Sequence, residues 1–217
     1  MNEVIKDYID KGIAFVEKHK EYLMYGDDIA KDMIYEFDYS STKNKSSKME
    51  LEQENASGEL LELLKSTDKV WKATNSSVTD SQIIEIEEYF NLTFPNSYKE
   101  YLKYKHFYTI FLNSDIRLFS KPTDKWKEIL VEANEEMREV LLDKGYFAIG
   151  YYSDYGAVCF DFRNNKEEAS IVFITYEDLQ IELLSENFTH LLEQALELKE
   201  PTLKELKPWK KKMYGIE

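Results

Sequence analysis

Three histidines and one cysteine are the only imidazoles and the only thiol in a chain of 217 residues, and their placement argues against most of the chemistry such groups perform. His19, His106 and His190 are widely separated, and none stands in an H-E-x-x-H or similar metal-ligand spacing. His190 lies beside apolar Leu191 in a helical pattern, which predicts an exposed helix histidine. Cys159 sits inside an apolar strand pattern, where a buried inert thiol is expected rather than a nucleophile. A single cysteine also gives no internal disulfide. No G-x-S-x-G elbow, P-loop or dinucleotide fingerprint occurs, and seven glycines leave little room for one. The adjacent acids Glu167-Glu168 and Glu177-Asp178 could work as an acid–base pair only in a cleft that shifts one pKa, and solvated loop acids are the plainer expectation. The chain is therefore read as a non-enzyme with no cofactor and no metal site.

What the residues do offer is binding. Tyr151, Tyr152, Asp154 and Tyr155 fall within five positions, and Asp161, Glu177 and Asp178 follow. Tyrosine is rigid and amphipathic and is enriched at protein interfaces, while acids beside it match a basic partner. Against this stands the simpler alternative that alternate tyrosines on a strand merely pack. The formal charge is −14, divided as −6 over residues 1–69, −11 over 70–200 and +3 over 201–217. Such a surface repels phosphate backbones and argues against nucleic acid. It steers basic proteins towards itself, or serves solubility alone. The N-terminus has acids where a signal peptide needs basic residues, and no apolar run approaches a membrane span. A cytoplasmic protein with no membrane partner is expected, its oligomeric state open.

These residues need a scaffold, and Gly145 to Asp178 supplies it. Aromatic and β-branched residues predict strands over 147–152, 156–162 and 169–175. Ser153-Asp154-Tyr155-Gly156 makes the first turn. Residues 163–168 form a second connection too short to cross over, so the third strand should run antiparallel to the second. The two-residue period places Val158, Phe160 and Phe162 against the core and turns Asp161 to solvent.

Around this meander the pattern predicts an N-terminal helix over 3–25, a short helix over 28–37, a polar loop near 38–58 and a helix over 60–66. Residues 1–69 are taken as a helical extension, 70–200 as an α+β domain and 201–217 as a frayed basic tail. Within the domain, Thr79 and Gln82 form a capping-box pattern, and Pro95 opens the next helix. Residues 107–112 and 116–119 read as a hairpin joining the meander, for a mostly antiparallel sheet of about five strands bracketed by helices. Thr123 or Asp124 is expected to cap a helix ending at Gly145, and Ser185 to cap the last one.

The succession Phe94-Pro95-x-x-Tyr98-Lys99-x-x-Leu102, hairpin, Phe147-Ala148-Ile149-Gly150, Phe160-Asp161, Ile171-Val172-Phe173 and Asn187-Phe188-x-x-Leu191-Leu192 resembles the SUKH superfamily. This is the Smi/Knr type, named after a yeast cell-wall synthesis regulator and common in bacteria. The resemblance runs from about Trp71 to Leu198 and leaves 1–69 unexplained. Lys105-His106-Phe107 stands where members often carry a Gly-rich turn. Bacterial members are largely immunity proteins that bind and silence secreted toxins, many of them nucleases. The resemblance therefore implies a non-catalytic antitoxin that blocks a basic protein toxin domain. A regulatory scaffold or protein-interaction module of the Smi/Knr type is the alternative.

Overall fold

The computed structural model describes residues 1–18, 29–35, 70–110, 116–164 and 168–197. The expectations for 19–28, 38–58, 60–66 and 201–217 lie outside the described residues. The meander forms where its sequence pattern places it: β6 (Tyr146–Tyr152), β7 (Gly156–Asp161) and β8 (Ser170–Thr175), each antiparallel to the next. With β5 (Ile116–Leu118) on one side and β9 (Ile181–Ser185) on the other they make a five-stranded antiparallel sheet in the order β5-β6-β7-β8-β9. Helices α1 (Glu3–Lys18), α2 (Asp80–Phe90), α3 (Asn96–Leu102), α4 (Trp126–Glu136) and α5 (Phe188–Glu197) flank it, so the fold is α+β.

The sheet's register defines its faces. Phe147, Phe160 and Ile171 are direct cross-strand partners and are all fully buried. Phe147 packs edge-on against Phe90 of α2 and Phe94, and Phe160 meets Tyr98 of α3 and Phe188 of α5. Each aromatic of this kind removes on the order of 150–250 Å² from water, so the cluster buries a large apolar area at the centre of the domain. Ile5, Ile9 and Val16 of α1 are buried in the same core.

On the opposite face run two further rows, Ala148–Cys159–Val172–Leu183 and Tyr151–Ala157–Ile174–Ile181. A bulge between Ala148 and Gly150 interrupts the ladder there. Buried Asn134 of α4 stitches it: its Oδ1 accepts from the Ala148 N–H at 2.8 Å, and its Nδ2 donates to the carbonyls of Ala148 and Leu130. The thiol of Cys159 is fully buried and burial pushes it up to about 12, as an inert core thiol requires.

Several local expectations are corrected. Asp161 does not face solvent: every residue of β7 is buried, because both faces of this central strand are covered. Its carboxylate instead accepts from the backbone N–H, Nε and Nη2 of Arg163, whose guanidinium lies 4.7 Å from the centre of the Tyr146 ring. In place of a helix over 28–37, a 3-10 turn at Lys31–Met33 leads into β1 (Ile34–Tyr35), which pairs with β2 (Val70–Trp71). Among the described residues, 107–110 and 116–119 do not pair as a hairpin: β3 (Thr74–Asn75) pairs with β4 (Lys105–His106), Phe107 bridges to Lys121, and β5 pairs with β6. The Thr79–Gln82 capping box is present, but Thr123 donates its hydroxyl to Asp32 and caps nothing. The last helix is capped by Asn187, whose Oδ1 accepts from the His190 N–H at 2.9 Å, while Ser185 ends β9.

Candidate protein-binding site

The β6–β7 turn and the β8–β9 turn are built at the same end of the sheet. The pairing of Gly156 with Thr175 brings them together, and the Tyr176 N–H donates to the Tyr155 carbonyl at 2.9 Å. Gly156 permits this approach, since a Cβ there would lie 2.1 Å from the Ile174 carbonyl oxygen. In the second turn the Thr175 hydroxyl donates to Asp178, which also accepts from the Gln180 side-chain amide at 2.6 Å. The hydrogen bond from Thr175, then the backbone N–H of Gln180, hold the Asp178 carboxyl below its ordinary range. Leu179 adopts a left-handed backbone (φ 55°) with its side chain exposed. For an L-residue of that size this conformation is strained and must be over-determined by the turn around it.

Of the residues singled out in the sequence, Asp154, Tyr155, Glu177 and Asp178 come together here, all exposed. Tyr155 is 70% exposed. Tyr151 joins them from β6, resting edge-on against Phe119 at 4.9 Å with much of its ring in solvent. Burial and then nearby Glu136 raise its phenol above the ordinary value. Tyr152 turns to the other face and packs 4.6 Å from Phe173, half-buried. Asp161 lies at the opposite end of β7, about 17 Å away at ~3.4 Å per residue, and belongs to the core. Glu168 is exposed and accepts a hydrogen bond from Ser97 of α3. His190 is exposed on α5.

An apolar extension of this surface continues along the β8–β9 turn and β9. Tyr176, Leu179, Ile181 and Leu183 are all exposed, the last by 66%. Tyr176 has its phenol raised by burial first and by neighbouring Tyr151 second, which places the two tyrosines in one electrostatic neighbourhood. Alternation of Ile181, Glu182 and Leu183 was the signal for β9. A second signal was charge: residues 168–197 contain seven acids and no lysine or arginine. The surface that results is an aromatic and aliphatic strip with the exposed acids Asp154, Glu177, Asp178 and Glu182 along it and one cation, Arg117, across from Tyr151 on β5.

A family model described as SMI1-KNR4 cell-wall, of the SUKH type, matches residues 80–192, more than half of the chain. The chain belongs to this family. The match begins at the first residue of α2 and ends within α5, so it takes in the whole sheet and both turns of the candidate site. No curated protein matches the chain. Among the described residues, no group of three or more His, Cys, Asp or Glu side chains could hold a metal ion, and no helix is long and apolar enough to cross a membrane.

Proposed function

We propose that this SUKH protein is an immunity protein that acts by binding, without a catalytic step of its own, and neutralises a secreted toxin by covering its basic or active-site surface. The observation that carries the reading is the end of the sheet where Tyr151, Tyr155 and Tyr176 stand exposed among Asp154, Glu177 and Asp178. Exposed tyrosines can serve as buried anchors in a complex, and a ring of acids speeds encounter with a basic partner and excludes acidic ones. The family membership supports the reading, because it is one of binding modules in the resemblance drawn above.

Co-expression with a toxin domain, should one be found encoded next to its gene, tests the proposal. Rescue of growth by the wild-type chain is expected, with weaker rescue by Tyr155→Ala, whose truncation is expected to cost about 2 kcal/mol of binding, mainly as faster dissociation. Association should slow as salt is raised. Absence of rescue and of binding by a correctly folded chain would overturn it. The cell-wall term in the family's description favours a second reading, a regulatory scaffold; under that reading the same face would bind a partner of the producing cell, and no neighbouring toxin would be silenced.

A further inference from the structure

β9 is the outer strand of the sheet, and among the described residues only β8 pairs with it. Edge strands left open invite further pairing, and natural proteins usually blunt them with lysine, proline or a covering element. Ile181-Glu182-Leu183-Leu184-Ser185 carries neither lysine nor proline. The orientation of its backbone follows from the ladder. The Thr175 N–H donates to the Gln180 carbonyl, so Gln180 points its backbone at β8. Directions alternate along a strand, so Glu182 also faces β8, opposite Phe173, while Ile181 and Leu183 present their N–H and C=O groups to the open edge. The same two residues carry the exposed side chains.

From this geometry we infer that β9 is a strand-addition site: an extended basic segment of a partner protein pairs with Ile181 and Leu183 and continues the sheet. The inference rests on the reading of this chain as a protein-binding module and specifies how its partner is held. Main-chain hydrogen bonds at Ile181 and Leu183 give affinity, and alternate side chains give specificity. Apolar side chains of the incoming strand lie against Ile181 and Leu183, and cationic ones meet Glu182, Glu177 and Asp178. The charge selects the occupant. In an antiparallel pair of two β9 strands the acids of both copies would crowd together with no lysine or arginine within 168–197 to offset them, and like charges across strands are unfavourable. A second copy is repelled where a basic strand is drawn in.

The test uses the full-length, isotope-labelled chain and a synthetic nine-residue peptide alternating valine with lysine, with its glutamate counterpart as control. Amide exchange at Ile181 and Leu183 is expected to slow by about tenfold or more on adding the lysine peptide at low salt, and to be unchanged by the glutamate peptide. Leu183→Pro removes an outward N–H that β8 does not use, a position an edge strand tolerates. It should weaken binding by about tenfold while circular dichroism and the melting transition stay near wild type. Glu182→Lys covers a Pro variant that fails to fold, and should narrow the preference for the lysine peptide. Binding that protects only residues 153–155 and 176–178, with Leu183→Pro binding like wild type, would overturn strand addition and leave the basic-partner reading intact. Concentration-dependent protection of Ile181 and Leu183 without peptide would overturn it in favour of a second copy. No binding of the lysine peptide at any salt would overturn it outright, while toxin rescue is read separately by co-expression.

Discussion

β7 and β9 belong to one sheet, are separated by a single strand and are both largely apolar, yet their fates are opposite. All six residues of β7, including Asp161, are buried, whereas the first three of β9 are exposed. Local composition does not decide this. β7 is paired on both edges and covered on both faces, by α2, α3 and α5 on one side and in the region of α4 on the other. Among the described residues, β9 has one paired edge. A central strand invests its apolar residues in stability, while an edge strand holds them available for a partner.

The widest separation between the two strands is in core truncation. Phe160→Ala in β7 removes a ring that contacts Tyr98, Phe162 and Phe188. A loss of about 3–5 kcal/mol is expected from denaturant unfolding. A loss under ~1 kcal/mol would mean that the aromatic cluster is loosely packed, and the contrast with β9 would fail.

The next effect concerns how the second face of the central strands is held. Asn134→Ala leaves the Ala148 N–H and C=O buried beside the bulge with no side-chain partner. Leaving buried polar groups unmet costs about 1–3 kcal/mol each, so unfolding experiments should register a loss of at least about 2 kcal/mol. Asn134→Asp keeps the acceptor for the N–H but loses the donor, and should be comparably harmful near neutral pH.

These two cases show what was legible in the sequence. The meander was, because hydrophobic alternation and turn residues are local signals. The capping box at Thr79 was legible for the same reason. Asp161 was misread because a two-residue period identifies two faces but not whether both are covered, and that depends on helices distant in sequence. β9 was missed because Ile181-Glu182-Leu183-Leu184 is short and runs directly towards the helix that Asn187 caps. Of the candidate site, Tyr151, Asp154, Tyr155, Glu177 and Asp178 could be named in advance. Their union with Tyr176 and Leu183 is a product of strand register, which no local pattern encodes.

A smaller effect is expected from pH. His106 is fully buried, and its Nε2 accepts from the Ser77 N–H at 2.9 Å while Nδ1 stands 3.0 Å from the Lys121 carbonyl. A backbone N–H can only donate, so the folded ring is neutral with its proton on Nδ1. Burial lowers its pKa from the ordinary 6.5, the Lys121 carbonyl partly opposes this, and the Lys121 ammonium adds to it. The folded state thus binds fewer protons than the unfolded chain below about 6.5. Stability is full above that value and falls as pH drops towards the folded pKa. Urea midpoints between pH 7 and 5 should decline, and His106→Gln should flatten that part of the curve. Lys121, buried with its Nζ donating to the Tyr101 carbonyl, is also lowered, and contributes a slope of the same sign at higher pH, below 10.5.

The smallest effect tests β9 itself. Val172 and Leu183 face one another directly across the β8–β9 ladder, one 4% and the other 66% exposed. A side chain already in water has little apolar area left to lose, so Leu183→Lys should change unfolding by no more than about 0.5 kcal/mol. Its sign is set by charge. A lysine here enters a stretch with seven acids and no lysine or arginine, where attraction outweighs the small loss of contact at low salt and fades as the Debye length shrinks. Stability should therefore match or slightly exceed wild type in dilute buffer and fall just below it in 1 M salt. Val172→Lys in the same register buries an ammonium without a partner and should unfold the sheet. A loss above ~2 kcal/mol for Leu183→Lys would place that side chain under cover, and β9 would then be a second β7 rather than an open edge.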